Sequence, residues 1–313
     1  MSTTSVKTFY GELFGVEFRT LYSNGKVDGC LVSIPNVLKT PYGDLVPQYE
    51  AEDMGRRTVK PVYFNKDGSL KSIALQAQTQ IDTPVGTIPA ELVTFYKNGK
   101  IRRIFPLDGK LTGFWTGKNE FALAEDIEIS SPIGKLKSKF IGVQFYESGA
   151  LKSLTLWPGQ KLTVPTPFGE VKVRTGIAFY ENGSIRSFEP ERPIEVLTPI
   201  GAVVAYDSEP TGIHGDLNSL QYTEKREVAA ISTTENEVVV TAPDGMTHVF
   251  YPGEKHSLCS DAVRVPVPMQ IQFQNGQVTF INGRQQTFEL ATCRFEVRKM
   301  QKKTHDPVYS CAS

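Results

Sequence analysis

One motif recurs along the chain and constrains its fold more than any other feature. An apolar residue, a spacer and an aromatic residue lead into Asn-Gly, Asp-Gly or Ser-Gly, and aliphatic residues follow. Residues 62–73, 93–104, 143–154 and 177–188 carry it best, and residues 21–30 hold a copy that is shorter at its start. Two degenerate copies follow at residues 222–231, where Arg226 takes the place of the glycine, and 271–281, where Asn275-Gly276 is kept but the first aromatic is shifted by one place. Alternation with period two marks a half-buried strand. The glycine supplies the positive φ that a tight turn requires. Each copy therefore reads as a β-hairpin.

The second strand of each hairpin has a peculiarity. One apolar residue lies two places after the glycine (Val27, Leu70, Ile101, Leu151, Ile185, Val228, Val278) and another lies five places after it (Cys30, Ile73, Ile104, Leu154, Phe188, Ile231, Ile281). A spacing of three would put the two on opposite faces of a regular strand, so a bulge is expected between them. The intervening residues are basic in most copies, notably Lys71, Arg102, Lys152 and Arg186.

A second turn signal follows downstream: Thr40 to Gly43, Thr83 to Gly86, Ser131 to Gly134, Thr166 to Gly169 and Thr198 to Gly201, all with Pro in second place. Ala242 to Gly245 is a looser member of the series. Pro in second place and Gly in fourth fit a type I turn. The unit thus reads as hairpin, strand, Pro-Gly turn, strand. Within a unit the two turn glycines are 18, 18, 35, 20 and 18 residues apart, so the third unit holds an insertion around residues 107–118. Successive hairpin turns lie 43, 31, 50, 34, 43 and 50 residues apart, so the loops between units vary. Such loops are where function is usually carried.

No helical periodicity survives the 20 prolines and 26 glycines. The expected fold is all-β: an elongated array of about seven hairpins forming a continuous twisted antiparallel sheet or solenoid-like superhelix. The alternative is a closed barrel or propeller, although uneven spacing argues against equal propeller blades. The expected organisation is an N-terminal cap over residues 1–19, five clear repeats over 20–219, two degenerate repeats and a cap over 220–297, and a polar, disordered tail over 298–313.

Phe95-Tyr96-Lys97-Asn98-Gly99-Lys100-Ile101 and Phe179-Tyr180-Glu181-Asn182-Gly183-Ser184-Ile185 resemble the core of the variant MORN repeat. The resemblance covers seven short stretches, well under half of the chain. It implies curved β-sheets of stacked hairpins, with scaffold, membrane-proximal or antitoxin-like roles, and no catalytic residues. The hairpin copies lack the Gly-x-Trp element of standard MORN units, and the chain adds the Thr-Pro-x-Gly turn.

Composition narrows the chemistry. The 313 residues are 40% apolar and 22% charged, enough to build a core. Lys+Arg and Asp+Glu both number 34, which argues against a dedicated nucleic-acid binder. No apolar run is long enough to span a membrane, and the first residues have no secretory h-region. Cys30, Cys259, Cys293 and Cys311 form no CxxC pair and are expected to be reduced thiols in a cytoplasmic protein. Of the four histidines, none pairs with another at zinc-ligand spacing; His256 and Cys259 offer two ligands where a closed zinc site needs four. No metal or cofactor is expected.

Glu125, Asp126 and Glu128, and Glu189 with Glu191, are paired carboxylates that solvated strand ends explain. His214 beside Asp216 is the first choice for a general base, though a surface loop explains it better. Phe114 and Trp115 lie in the inserted segment between glycines and suit a contact with a partner or a sugar ring. Lys71, Arg102, Lys152 and Arg186 form a one-sided basic stripe if the units stack in register. That stripe suits an acidic partner or anionic lipid, and equally the solvated face of a sheet. The first reading is a non-enzymatic scaffold with a protein partner. The alternatives are a carbohydrate- or envelope-binding module using Trp115 and exposed tyrosines, and an enzyme with its site near His214.

Overall fold

The structure, a computed structural model, describes residues 5–50, 60–108, 117–210, 218–257 and 260–300. Among these residues every regular element is a strand except the helix Gly117–Leu123. The fold is all-β, with a 16-stranded antiparallel sheet that does not close into a barrel. No helix among the described residues is long and apolar enough to cross a membrane. Two compact units divide the chain, Met1–Leu162 with Glu181–Gly183, and Thr163–Tyr180 with Ser184–Ser313.

Four hairpins of the sheet belong to the first unit. They are Val16–Leu21 with Val27–Val32, Val62–Phe64 with Leu70–Thr83, Gly86–Phe95 with Ile101–Phe105, and Phe140–Phe145 with Leu151–Leu156. Their registers bring Cys30, Val62, Ile73, Val93, Ile104, Val143 and Leu154 side by side in one row, each the direct neighbour of the next. All seven are fully buried or nearly so. This row contains the residues five places after the turn glycine, and each cross-strand aliphatic contact contributes roughly 0.2–1 kcal/mol.

The second unit repeats the arrangement with Gly169–Phe179 and Ile185–Pro190, Leu220–Tyr222 and Val228–Thr233, and Met269–Gln274 and Gln277–Asn282. Its row runs Ile177, Phe188, Leu220, Ile231, Ile271, Phe280. The last hairpin departs from the expectation. Asn275 and Gly276 stand at φ 52° and 76° in a two-residue turn that pairs Gln274 with Gln277, and no bulge follows. Regular alternation then buries Val278 and Phe280 and leaves Ile281 on the opposite face, half-exposed.

The Pro-Gly turns close hairpins, four of which hold a buried cross-strand aliphatic pair: Leu38 with Leu45, Ile81 with Ile88, Ile129 with Leu136, and Val196 with Val203. The first turn residue explains itself. The Thr40 hydroxyl donates to the Gly43 carbonyl at 2.9 Å, and Thr83, Ser131, Thr166 and Thr198 do the same at 2.6–2.7 Å.

Three expectations change. Thr8 donates to the Gly11 carbonyl at 2.7 Å, and Val6 pairs with Leu13, so residues 6–13 form another hairpin of this kind, with Phe9 where the others have Pro. Ala242 to Gly245 belongs to the other turn class: Ala242 N–H donates to Met246 O, Gly245 N–H to Ala242 O, and Met246 N–H to the Asp244 carboxylate. Alanine has no hydroxyl to make the Thr-type bond. Arg298 and Lys299, assigned to the tail, sit in the strand Arg294–Lys299, which pairs with Asn236–Thr241. Residues 301–313 lie outside the described residues.

Candidate functional site

The five-residue turns at the hairpin tips are built alike. The first residue donates its N–H to the carbonyl of the fifth, and in most of them the fourth donates back to the first: Tyr22 with Gly25 and Lys26, Asn65 with Gly68 and Ser69, Tyr96 with Gly99 and Lys100, Tyr146 with Gly149 and Ala150. The third side chain accepts the N–H of the fifth, as Asn24, Asp67, Asn98 and Ser148 do. The glycines stand at φ 78–98°. A turn of three central residues ending in the left-handed region leads into a bulge.

The bulged residues are those of the sequence-level stripe. Phe64 pairs with Leu70 and Tyr63 with Ser72, which leaves Lys71 unpaired in the ladder. The same skip leaves out Arg102, Lys152 and Arg186. The bulge returns the two flanking apolar residues to one face, and at Lys71 and Arg102 the basic side chain turns outward. Lys71 and Arg102 are exposed, and Lys152 and Arg186 are half-buried.

Tyrosines join neighbouring tips. The Tyr22 hydroxyl donates to Phe64 O at 2.8 Å, Tyr96 to Phe145 O at 2.8 Å, and Tyr180 to Tyr222 O at 2.7 Å. Burial raises the pKa of these three hydroxyls. Cations stand over the rings: Lys66 is 5.9 Å from the centre of Tyr22, Arg102 5.9 Å from Tyr96 and Lys152 5.8 Å from Tyr146. Lys26 and Lys100 reach sideways to the carbonyls of Asp67 and Ser148, both at 3.3 Å.

Charge is uneven along these tips. Residues 22–28, 65–71 and 96–102 carry six basic side chains (Lys26, Lys66, Lys71, Lys97, Lys100, Arg102) against Asp28 and Asp67. All six are exposed. The corresponding segments of the next three hairpins, 146–152, 180–186 and 223–229, carry four basic and four acidic residues. The excess therefore belongs to the first three tips of the first unit.

Two notches open beside these tips. One, of about 420 Å³, is lined by Phe9, Val27 and Phe64 with Lys7, Lys26 and Asp67 at its rim. The other, of about 180 Å³, is lined by Tyr42, Pro84, Ile101 and Phe145 with Lys100 and Ser148. Val27 and Ile101 hold equivalent positions in their hairpins, as do Phe64 and Phe145. Phe9 is 78% exposed.

Sequence reasoning missed one feature of the second unit. Glu189, read as a solvated strand end, is 1% exposed. Its carboxylate accepts Ser219 N–H at 2.8 Å and Asp207 N–H at 3.4 Å, and the Arg174 guanidinium lies 3.8 Å away. Arg174 also donates to the carbonyls of Pro190 and Asp207 and stacks on Tyr206. Burial pushes the Glu189 carboxyl up to about 7, against these hydrogen bonds and the Arg174 charge. The group holds the two flanks of one loop together. The other carboxylate pair behaves as read: Glu128 is exposed and pairs with Lys135 at 2.7 Å.

Phe114, Trp115, His214, Asp216, Cys259, His305 and Cys311 lie outside the described residues. Cys30 is buried, and burial raises its thiol to about 11. His248 packs against Phe288 with ring centres 5.2 Å apart, and His256 is exposed on the strand Gly253–Ser257. Trp157 packs edge-on against Phe121. Among the described residues no three His, Cys, Asp or Glu side chains gather as a metal site would need. Compared with protein-family models, with curated proteins and with solved structures, the chain shows no match.

Proposed function

We propose that this chain is a non-enzymatic interaction scaffold that binds an acidic protein partner along the hairpin tips of its first unit. The observation that carries the reading is the group of six exposed basic side chains on three adjacent tips. Charge complementarity of this kind steers association and selects partners. The tips suit the task because glycine turns, tyrosine bonds and bulges fix where each cation emerges, which reduces the ordering cost of binding. The recurrence of one tip design supports the further reading of the chain as a hairpin-repeat array of the MORN-like kind.

The test is titration of the protein with fluorescein-labelled poly-glutamate, followed by anisotropy. Saturable binding at low salt that is lost at about 1 M salt, where the screening length is about 3 Å, is the expected result. No binding at low salt contradicts the proposal.

A further inference from the structure

The basic tips and the two notches lie together, and resting on the reading above, we infer that the partner segment is an extended acidic stretch with two apolar side chains six residues apart. One side chain would enter the notch of Phe9, Val27 and Phe64, and the other the notch of Tyr42, Ile101 and Phe145.

The spacing follows from the sheet. The notch floors are equivalent: Val27 and Ile101 lie two places after their turn glycines, and Phe64 and Phe145 end the first strands of their hairpins. The strand order places four interstrand steps between Val27–Val32 and Ile101–Phe105, and four between Val62–Phe64 and Phe140–Phe145. At about 4.8 Å per step that is about 19 Å. An extended chain rises about 3.3 Å per residue, so six residues cover the distance, and residues i and i+6 point to the same side.

Each notch is large enough to admit a leucine side chain. The four carbons of a leucine side chain, at about 30 Å³ each by analogy with water, need about 120 Å³. The notches hold about 420 and 180 Å³. Tyr42 packs on Phe95, the aromatic equivalent to Phe64 and Phe145, at 6.0 Å, and its hydroxyl accepts Ile101 N–H. Lys66, Lys97 and Lys100 stand on the tips that the intervening residues would cross, which selects carboxylates there. Asp67, the acid on the rim, is engaged by the N–H and hydroxyl of Ser69 at 2.9 and 2.6 Å.

The test uses two labelled glutamate-rich peptides of identical composition, one with leucines six residues apart and one with leucines three apart. The first is expected to bind about tenfold tighter, the return from burying one more apolar side chain. Phe9→Ala, which removes one wall of the first notch, is expected to abolish that difference. Equal affinities of the two peptides, with salt-sensitive binding intact, overturn the notch inference and leave the acidic-partner reading standing. Absence of binding by every acidic probe overturns both.

Discussion

Glu189 accepts the backbone N–H of Ser219 at 2.8 Å, thirty residues along the chain, from a position that is almost fully buried. Its carboxyl is held at about 7 in the folded protein, above its ordinary 4.5. Between those values the folded state binds the proton more strongly than the unfolded state. This group therefore favours folding at the acidic end of the window, and its contribution is lost as pH rises through about 7. Arg174 is the charged group facing it, with the N–H groups of Asp207 and Ser219. Glu189→Gln removes the titration. The melting temperature of the variant relative to the native protein should rise as pH goes from about 4.5 to about 7. A constant difference across that range refutes the assignment.

Arg226 occupies the turn position that glycine holds elsewhere and stands at φ 66°. A side chain in the left-handed region costs about 1–2 kcal/mol. Arg226→Gly should raise unfolding free energy by about 1 kcal/mol. Gly99→Ala should lower it by about as much, because φ there is 82° and an added Cβ meets nothing within 4 Å. Urea unfolding curves read both changes.

Thr198 is largely buried, and its hydroxyl donates to Gly201 O at 2.7 Å while accepting Ile200 N–H at 3.2 Å. Thr198→Val keeps the shape and removes both bonds. A loss of about 1–2 kcal/mol in the same assay is expected.

The hydroxyl of Tyr96 links the third and fourth tips through Phe145 O. Tyr96→Phe should cost about 1 kcal/mol and increase hydrogen exchange at neighbouring tip amides. Unchanged exchange there would mean that the tips are held together by the sheet alone.

Much of the fold was legible because its determinants are local. A spacing of three between Leu70 and Ile73 announces a bulge, and the bulge is there, at Lys71. The copy at Thr8 was hidden because Phe9 replaces the proline that marks its relatives, and the hydroxyl bond, not the proline, is the feature all six turns share. Ala242 misled for the converse reason, having the proline without the hydroxyl. The notches and the Glu189 clamp could not be read in advance. They depend on contacts such as Leu70 N–H to the Tyr10 hydroxyl and Ile101 N–H to the Tyr42 hydroxyl, 60 and 59 residues apart. No local pattern encodes such separations.

The central claim is that the basic tips of the first unit hold an acidic partner. The most direct measurement compares two triple charge reversals that change net charge equally: Lys66→Glu, Lys97→Glu and Arg102→Glu at the tips, and Lys135→Glu, Lys137→Glu and Lys172→Glu at exposed positions that belong to none of the three tip segments. Poly-glutamate affinity at low salt should fall by at least tenfold in the first variant and by much less in the second. An equal loss in both would show that net charge, and not the hairpin tips, governs binding.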